Sequence, residues 1–203
     1  MKKFILFILF LFCSFFLNAQ YINYSQFYSS PHSLNPALSG SGEFGRIGVI
    51  YRNQWPLIDN GYQFFTSWID YNLAKSNFSF GINFSNEKVG INSLSTSHVS
   101  PSLSYEINLS YDWVIRSGIQ ISYTNSNFDS QNLLFYDQFQ QNGSINPTLE
   151  NLSAFEKVNY LNLAVGLIAY SNNVWLGASI YNLPKPNISF SDNIENLARL
   201  YSF

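Results

Sequence analysis

Thiols, histidines and charged side chains are scarce in this chain, and each scarcity argues against a class of function. Cys13 is the only cysteine and lies in an apolar run that we expect to be removed, so no disulfide framework or cysteine metal site is predicted. His32 and His98 are the only histidines, and neither stands at a metal-ligand spacing, so each is interpreted as a hydrogen-bonding residue. A formal net charge of −2 gives no basic footprint for nucleic acid.

Recognisable catalytic motifs are also lacking. Ser, His and Asp residues occur without a nucleophile elbow, and Gly40-Ser41-Gly42 is too short for a phosphate-binding loop. We therefore expect no enzymatic activity, no cofactor and no metal.

The balance of charge and aromatic residues is unusual for a soluble protein. Charged residues make up 11 % of the chain and aromatic residues 18 %, whereas soluble surfaces are usually richer in charge. A barrel lined by Ser, Asn and Gln and coated by Phe, Leu and Ile would have this composition.

The N-terminus has the pattern of a secretory signal. Met1-Lys2-Lys3 precedes an apolar run over residues 4–17, and Ala19 is the predicted cleavage residue, giving a signal peptide over 1–19. The run is short for a membrane-spanning helix, which needs about 20 apolar residues. Phe12 before Cys13 is too large for a lipoprotein signal. No later segment is long and apolar enough for such a helix.

Apolar and polar residues alternate along several segments, as in β-strands whose two faces differ. In residues 77–85 one face carries Phe and Ile, and the other carries Asn, Ser and Gly. Four more segments repeat the pattern, and their apolar faces are Ile47/Val49/Tyr51, Trp113/Ile115/Ile119/Ile121/Tyr123, Leu161/Leu163/Val165/Leu167/Ala169 and Val174/Leu176/Ala178/Ile180.

The apolar faces fit lipid better than a soluble core. None carries a charge, whereas Arg46, Arg52 and Arg116 all fall on polar faces. A charge on the lipid face costs about 2–4 kcal/mol at the membrane midplane. Trp113 and Tyr123 also bracket about one membrane-crossing strand, at positions where aromatic rings meet the two interfaces. The alternative is a soluble β-sandwich that uses the same residues as its core.

Turn-forming clusters divide the chain into strands. We predict strands near 44–53, 63–73, 77–85, 94–107, 113–123, 159–170 and 174–183. The connections after strands two, four and six are short, and those after one, three and five are longer, with one over 124–158. Short periplasmic turns and longer outer loops are typical of outer-membrane barrels.

Glycines recur on the polar faces of five predicted strands. They are Gly48, Gly81, Gly118, Gly166 and Gly177. They are interpreted either as relief of crowding inside a barrel or as incidental small residues.

The segment before the first strand carries a distinctive combination of motifs. Gln26-Phe27 is followed by Asn35-Pro36-Ala37 with Gly40, and the first strand ends in Tyr51-Arg52-Asn53-Gln54-Trp55. Proline disfavours the helical region for Asn35, and Gly40 and Gly42 then permit a tight reversal. The combination closely resembles the PorP/SprF family of type IX secretion system outer-membrane proteins. Weaker family landmarks are 177–183, Pro186-Asn187 and Arg199-Leu200-Tyr201.

The resemblance implies an all-β, antiparallel, transmembrane outer-membrane β-barrel. Its parts would be the signal peptide, a periplasmic N-terminal segment over 20–43 that forms a plug or docking element, and a barrel over 44–203. Seven strands are visible and 197–203 resembles the start of an eighth. Because family members are longer, we expect a C-terminally incomplete barrel, with a small complete eight-stranded barrel as the alternative.

The implied role is non-enzymatic. The family resemblance implies a protein of the bacterial outer membrane that aids secretion or surface anchoring of a cargo protein in type IX secretion or gliding, in a Bacteroidota-like bacterium. Its partners would be outer-membrane lipid, a secreted cell-surface cargo and periplasmic components of the machinery. The family-motif residues, whose implied role is structural or in docking, are Gln26, Phe27, Asn35, Pro36, Ala37, Gly40, Arg52, Gln54 and Trp55. The alternatives are a small-solute porin and a soluble β-sandwich adhesin.

Overall fold

Eight antiparallel strands form one sheet in the computed structural model, which describes residues 29–58, 61–73, 75–90, 94–128, 136, 157–190 and 194–203. Two short turns precede the sheet, a single-turn α-helix α1 (Pro31–Leu34) and a 3₁₀ turn (Pro36–Leu38). The strands are β1 (Arg46–Gln54), β2 (Tyr62–Asn72), β3 (Phe78–Val89), β4 (Leu94–Asn108), β5 (Val114–Phe128), β6 (Lys157–Tyr170), β7 (Trp175–Tyr181) and β8 (Leu200–Ser202). Each pairs with its neighbour in sequence. The seven predicted strands and the predicted start of an eighth are therefore confirmed.

Two strands continue further than the sequence predicted. β3 runs to Val89 and β5 to Phe128, so only four residues separate β3 from β4. The prediction of a longer connection after the third strand is wrong. Apart from Val89 and Phe128 at their ends, both extensions are polar on both faces, and side-chain hydrogen bonds such as Asn125 Nδ2 to Asn159 Oδ1 at 2.5 Å hold the extension of β5. The extensions lie outside the region in which apolar and polar residues alternate, so no continuous apolar face predicts a strand there.

The apolar face of the sheet points outward. In β3 the side chains of Phe78, Phe80, Ile82 and Phe84 are 40–49 % exposed. The residues between them, from Ser79 to Ser85, are buried. Arg116 lies on the opposite face of β5 from Ile119 and is 2 % exposed. This inverts the arrangement of a soluble sheet, so the predicted lipid-facing and polar faces are confirmed and the sandwich prediction is not supported.

The sheet curls around its polar face. His32 Nε2 lies 3.5 Å from Asp70 Oδ2 on β2, and Tyr181 on β7 donates a hydrogen bond to the carbonyl of the same histidine at 3.1 Å. In a flat sheet β2 and β7 would be about 24 Å apart, because neighbouring strands are about 4.8 Å apart. One residue contacts both strands only because the sheet closes around it. We call the enclosed space the lumen.

The curled sheet is an incomplete antiparallel β-barrel. Pairing joins consecutive strands, so β1 and β8 are its two edges within the described ranges. In the same part of the chain no helix is long and apolar enough to cross a membrane. The first strand begins at Arg46, whereas the domain boundaries after 19 and after 43 stay predictions.

Candidate functional site

Residues 29–41, which we call the leader segment, lie inside the lumen. The segment folds as α1, an extended Asn35 and the 3₁₀ turn. Asn35 has φ −159° and ψ 125°, the extended conformation predicted for the residue before Pro36. Its Oδ1 accepts a hydrogen bond from the Ala37 amide at 2.9 Å, which caps the 3₁₀ turn. Ala37 and Ser39 are fully buried.

The same asparagine joins the leader segment to two strands. Asn35 Nδ2 donates to the carbonyl oxygens of Leu167 on β6, at 3.2 Å, and of Ala178 on β7, at 3.0 Å. Nearby, Ser179 Oγ donates to the Leu34 carbonyl at 3.0 Å. Only an amide side chain supplies two donors to the sheet and one acceptor to its own turn. Aspartate at this position would lack both donors.

Glycines on the polar face let the leader segment approach the sheet. A Cβ on Gly118 would overlap the backbone of Pro36 and Ala37, and one on Gly166 would overlap the side chain of Asn35. A Cβ on Gly81 would meet the ring of His32. The interpretation of these three glycines as relief of crowding is confirmed. The crowding group is the leader segment.

Arg116 is the buried centre of leader attachment. Its guanidinium donates to the carbonyl oxygens of Ala37 at 3.1 Å and Ser39 at 2.7 Å, and to Glu106 Oε2 at 2.5 Å. Ser104 Oγ accepts a further bond at 3.0 Å. Five donors in a planar fork allow one arginine to serve the leader backbone and a neighbouring strand together. The positive charge of Arg116, which would be unfavourable on the lipid face, thus binds the leader segment.

Asp70 on β2 forms a second attachment point. It is 1 % exposed and accepts hydrogen bonds from the amide of Gly40 at 2.9 Å and from Arg46 Nη2 at 2.5 Å. Arg46 also donates to the Leu38 carbonyl at 3.1 Å. Gly40 has φ +60°, and a Cβ there would lie 2.9 Å from the Tyr71 carbonyl oxygen, so glycine is required at this reversal.

Serines and His32 complete the contact between these two points. Ser39 Oγ hydrogen bonds to Ser102 Oγ at 2.7 Å and to His32 Nδ1 at 3.1 Å. Ser104 Oγ donates to the Ser39 carbonyl at 2.7 Å. The leader segment is therefore hydrogen-bonded to β1, to β2 and to each strand from β4 to β7.

The family-motif residues form two separate groups. Asn35, Pro36, Ala37 and Gly40 lie together in the leader segment. Arg52, Gln54 and Trp55 lie at the far end of β1, about 26 Å along the strand from Arg46 at the usual rise per residue. There Arg52 donates to Gln54 Oε1 at 2.8 Å, and Trp55 is 58 % exposed. Gln26 and Phe27 lie outside the described residues.

Among the site residues that the sequence did not reveal are Asp70, Glu106, Ser39 and Tyr181. Both acids lie on the polar faces of their strands. A charged side chain that points into the lumen there needs a partner. Glu106 and Arg116 are also equidistant from the turn over 109–113, so the hairpin register brings them opposite each other. That signal was available in the sequence, whereas the contact between Asp70 and Gly40 was not.

A cavity of about 780 Å³ occupies the half of the lumen toward the end where β3 meets β4, near Glu87 and Leu94. His32, Ser33 and Leu34 of the leader segment form part of its lining. Side chains of β3 to β6 line it with hydroxyl and amide groups. His98 hydrogen bonds there to Thr124 at 2.7 Å. Within the described ranges no cluster of His, Cys, Asp or Glu is suited to a metal ion.

Comparison with known families gives a match over most of the chain. The profile described as type IX secretion system membrane protein PorP/SprF matches residues 16–203. Comparison with curated proteins and with solved structures gives no match. The matched range includes the leader segment, every strand and both groups of motif residues.

Proposed function

Because the chain belongs to the PorP/SprF family of type IX secretion system membrane proteins, we propose that it is an outer-membrane barrel with an internal plug that retains or hands over a secreted surface protein. The observation that carries this proposal is the leader segment, held inside the lumen by Arg116 and Asp70. Its partners would be membrane lipid, the cargo protein and periplasmic parts of the machinery. The role is one of binding, without an enzymatic step.

The plug supports a binding role over the alternative of a small-solute porin. A porin needs a continuous aqueous path, and polar linings of this kind surround such paths in open barrels. Here buried backbone occupies the lumen at the level of Gly118 and Gly166. Surfaces left for a partner are the cavity, the longer connections and the two sheet edges.

Deleting the gene in the source bacterium tests the cargo role. Surface proteins are labelled on intact cells and quantified in the parent, the deletion strain and a strain complemented with the full chain. We expect one or a few type IX cargo proteins to leave the surface in the deletion strain and to return on complementation. Normal surface levels of every cargo protein would contradict the proposal.

Conductance separates the two candidate functions. The full chain, inserted in planar bilayers, is expected to remain closed or nearly so. Large, steady, salt-proportional conductance of the unaltered chain would favour the porin, whatever the surface proteome shows.

A further inference from the structure

The leader segment is already enclosed by the sheet where its described part begins. Ser30 is fully buried and His32 is 1 % exposed. A chain cannot pass through the wall of a hydrogen-bonded sheet. The residues that precede Ser29 therefore also lie in the lumen, unless they leave it through a mouth or between the edges β1 and β8.

The course of the leader segment can be followed along the lumen face of β3. A Cβ on Gly40 would meet Ser79, and a Cβ on Gly81, two residues further along the strand, would meet the ring of His32. Going back along the chain from Gly40 to His32 thus leads toward the end of β3. The next lumen-facing residues of β3 line the cavity, and they are Asn83, Ser85 and Glu87. The leader segment itself occupies the other half of the lumen, so the cavity is the space left for the chain before Ser29.

The preceding segment and the cavity agree in length. Between Gly81 and Glu87 β3 advances by six residues, which is about 20 Å at the usual rise. With the predicted cleavage after Ala19, nine residues precede Ser29. A chain of that length spans at most about 30 Å when extended. Residues 20–28, which we call the entry segment and which lie outside the described residues, are therefore long enough to run the length of the cavity.

The side chains of the entry segment suit the lining of the cavity. Four of its nine residues are aromatic, and none carries a charged side chain. The lining combines hydroxyl and amide groups of β3 to β6 with Phe190, Leu197 and Leu200 from the end of the chain. A tyrosine ring buries an apolar body and keeps a hydroxyl for such polar groups. Burial of the entry segment leaves no side-chain charge unpaired.

The last strand offers main-chain partners as well. β8 is paired with β7 on one side, and within the described ranges no strand lies on its other side. Leu200, Tyr201 and Ser202 all line the cavity. An extended chain beside such an edge adds to the sheet through backbone hydrogen bonds. Tyrosine, phenylalanine and isoleucine make up more than half of the entry segment, and these residue types favour strands.

We propose that the entry segment occupies the lumen cavity in an extended conformation beside β8, so that the plug runs from the start of β1 to the end of β3. The inference deepens the plug of the proposed function and rests on that part of it. The cavity is then open to a partner only when the entry segment leaves it. The cargo role is not used, so the surface proteome of the deletion strain and the cross-links described below can fail independently.

Cysteine cross-linking of the purified full chain in lipid nanodiscs tests the proposal. In a Cys13→Ser background the probe is Ser25→Cys, because the two side chains are close in size. The probe is combined in turn with a cysteine at each of four cavity positions on different strands, which are Ser85, Ser100, Ser122 and Ser202. The matched control is Tyr123→Cys, which is next to Ser122 on β5 but on the lipid face. With a short bismaleimide we expect cross-linking to at least one cavity position and none to Tyr123→Cys.

Thiol labelling gives an independent measurement. Ser25→Cys alone should react with a water-soluble maleimide at least about tenfold more slowly than Asp112→Cys in the exposed turn before β5, because the entry segment has to leave the cavity first. Gln26→Cys replaces the probe if Ser25→Cys prevents barrel assembly, as judged by heat-modifiable migration. No cross-link to any of the four cavity positions, equal cross-linking to Tyr123→Cys, or labelling as fast as that of Asp112→Cys would overturn the proposal.

Discussion

Replacing Arg116 by methionine should release the leader segment while leaving the sheet assembled. The change removes the donors to two leader carbonyls and leaves Glu106 without its counter-charge, with the Tyr170 hydroxyl as its remaining donor. Breaking a buried charged pair costs about 3–5 kcal/mol, but the Glu106 side chain is 29 % exposed, so part of that cost is recovered by water. We therefore expect leader docking to weaken by about 2–4 kcal/mol.

A cysteine at Ser39 reports the release. Ser39 is fully buried, and cysteine is close to it in size. With Cys13 replaced by serine, the reporter is the only thiol in the chain. If labelling by a water-soluble maleimide requires the leader segment to open, a loss of about 2–4 kcal/mol raises the labelling rate about 30- to 1,000-fold.

Arg52→Met is the matched control, because Arg52 shares the polar face but lies far from the leader segment. It should leave the labelling rate of the reporter unchanged. Heat-modifiable migration in detergent gels checks that the barrel is assembled in each variant. An assembled Arg116→Met variant that labels as slowly as its parent would refute the assignment of Arg116 as the main attachment point.

Three further predictions use the same preparations. Asp70→Asn should raise the labelling rate of the reporter cysteine about tenfold or more, because the Gly40 amide and Arg46 lose a charged acceptor. An unchanged rate would count against this second attachment point. Gly118→Val should expel the leader segment by overlap with its backbone, whereas Gly177→Ala should be tolerated, and equal labelling of the two would contradict the crowding argument. Ile119→Arg should lower the free energy of barrel unfolding in urea by about 2–4 kcal/mol, whereas Ser85→Arg in the lumen should cost less, and the opposite order would reverse the assignment of faces.

Local patterns in the sequence were sufficient to predict the sheet. Period-two alternation depends only on adjacent residues, so Phe80 and Ser79 indicate their faces without knowledge of any partner strand. The ends of β3 and β5 escaped prediction for a physical reason. Beyond the region of alternation most residues on both faces are polar, so residues such as Asn125 resemble a loop although they remain paired.

The leader segment was predictable in its backbone but not in its attachments. Proline fixes Asn35 in an extended conformation, and Gly40 permits the reversal, both from adjacent residues. The partners of these residues come from strands far along the chain, as with Gly40 and Asp70. They depend on strand register and on the curl of the sheet, which no local pattern encodes.

The most direct test of the account is the accessibility of spin labels placed singly at residues 117–123 of β5 in lipid bilayers. We expect accessibility to lipid-dissolved oxygen to vary with a period of two, high at Ile119 and Ile121 and low at Gln120 and Ser122. Oxygen accessibility that is uniformly low, or highest at the even-numbered positions, would contradict a barrel that faces lipid with its apolar side and holds the leader segment within.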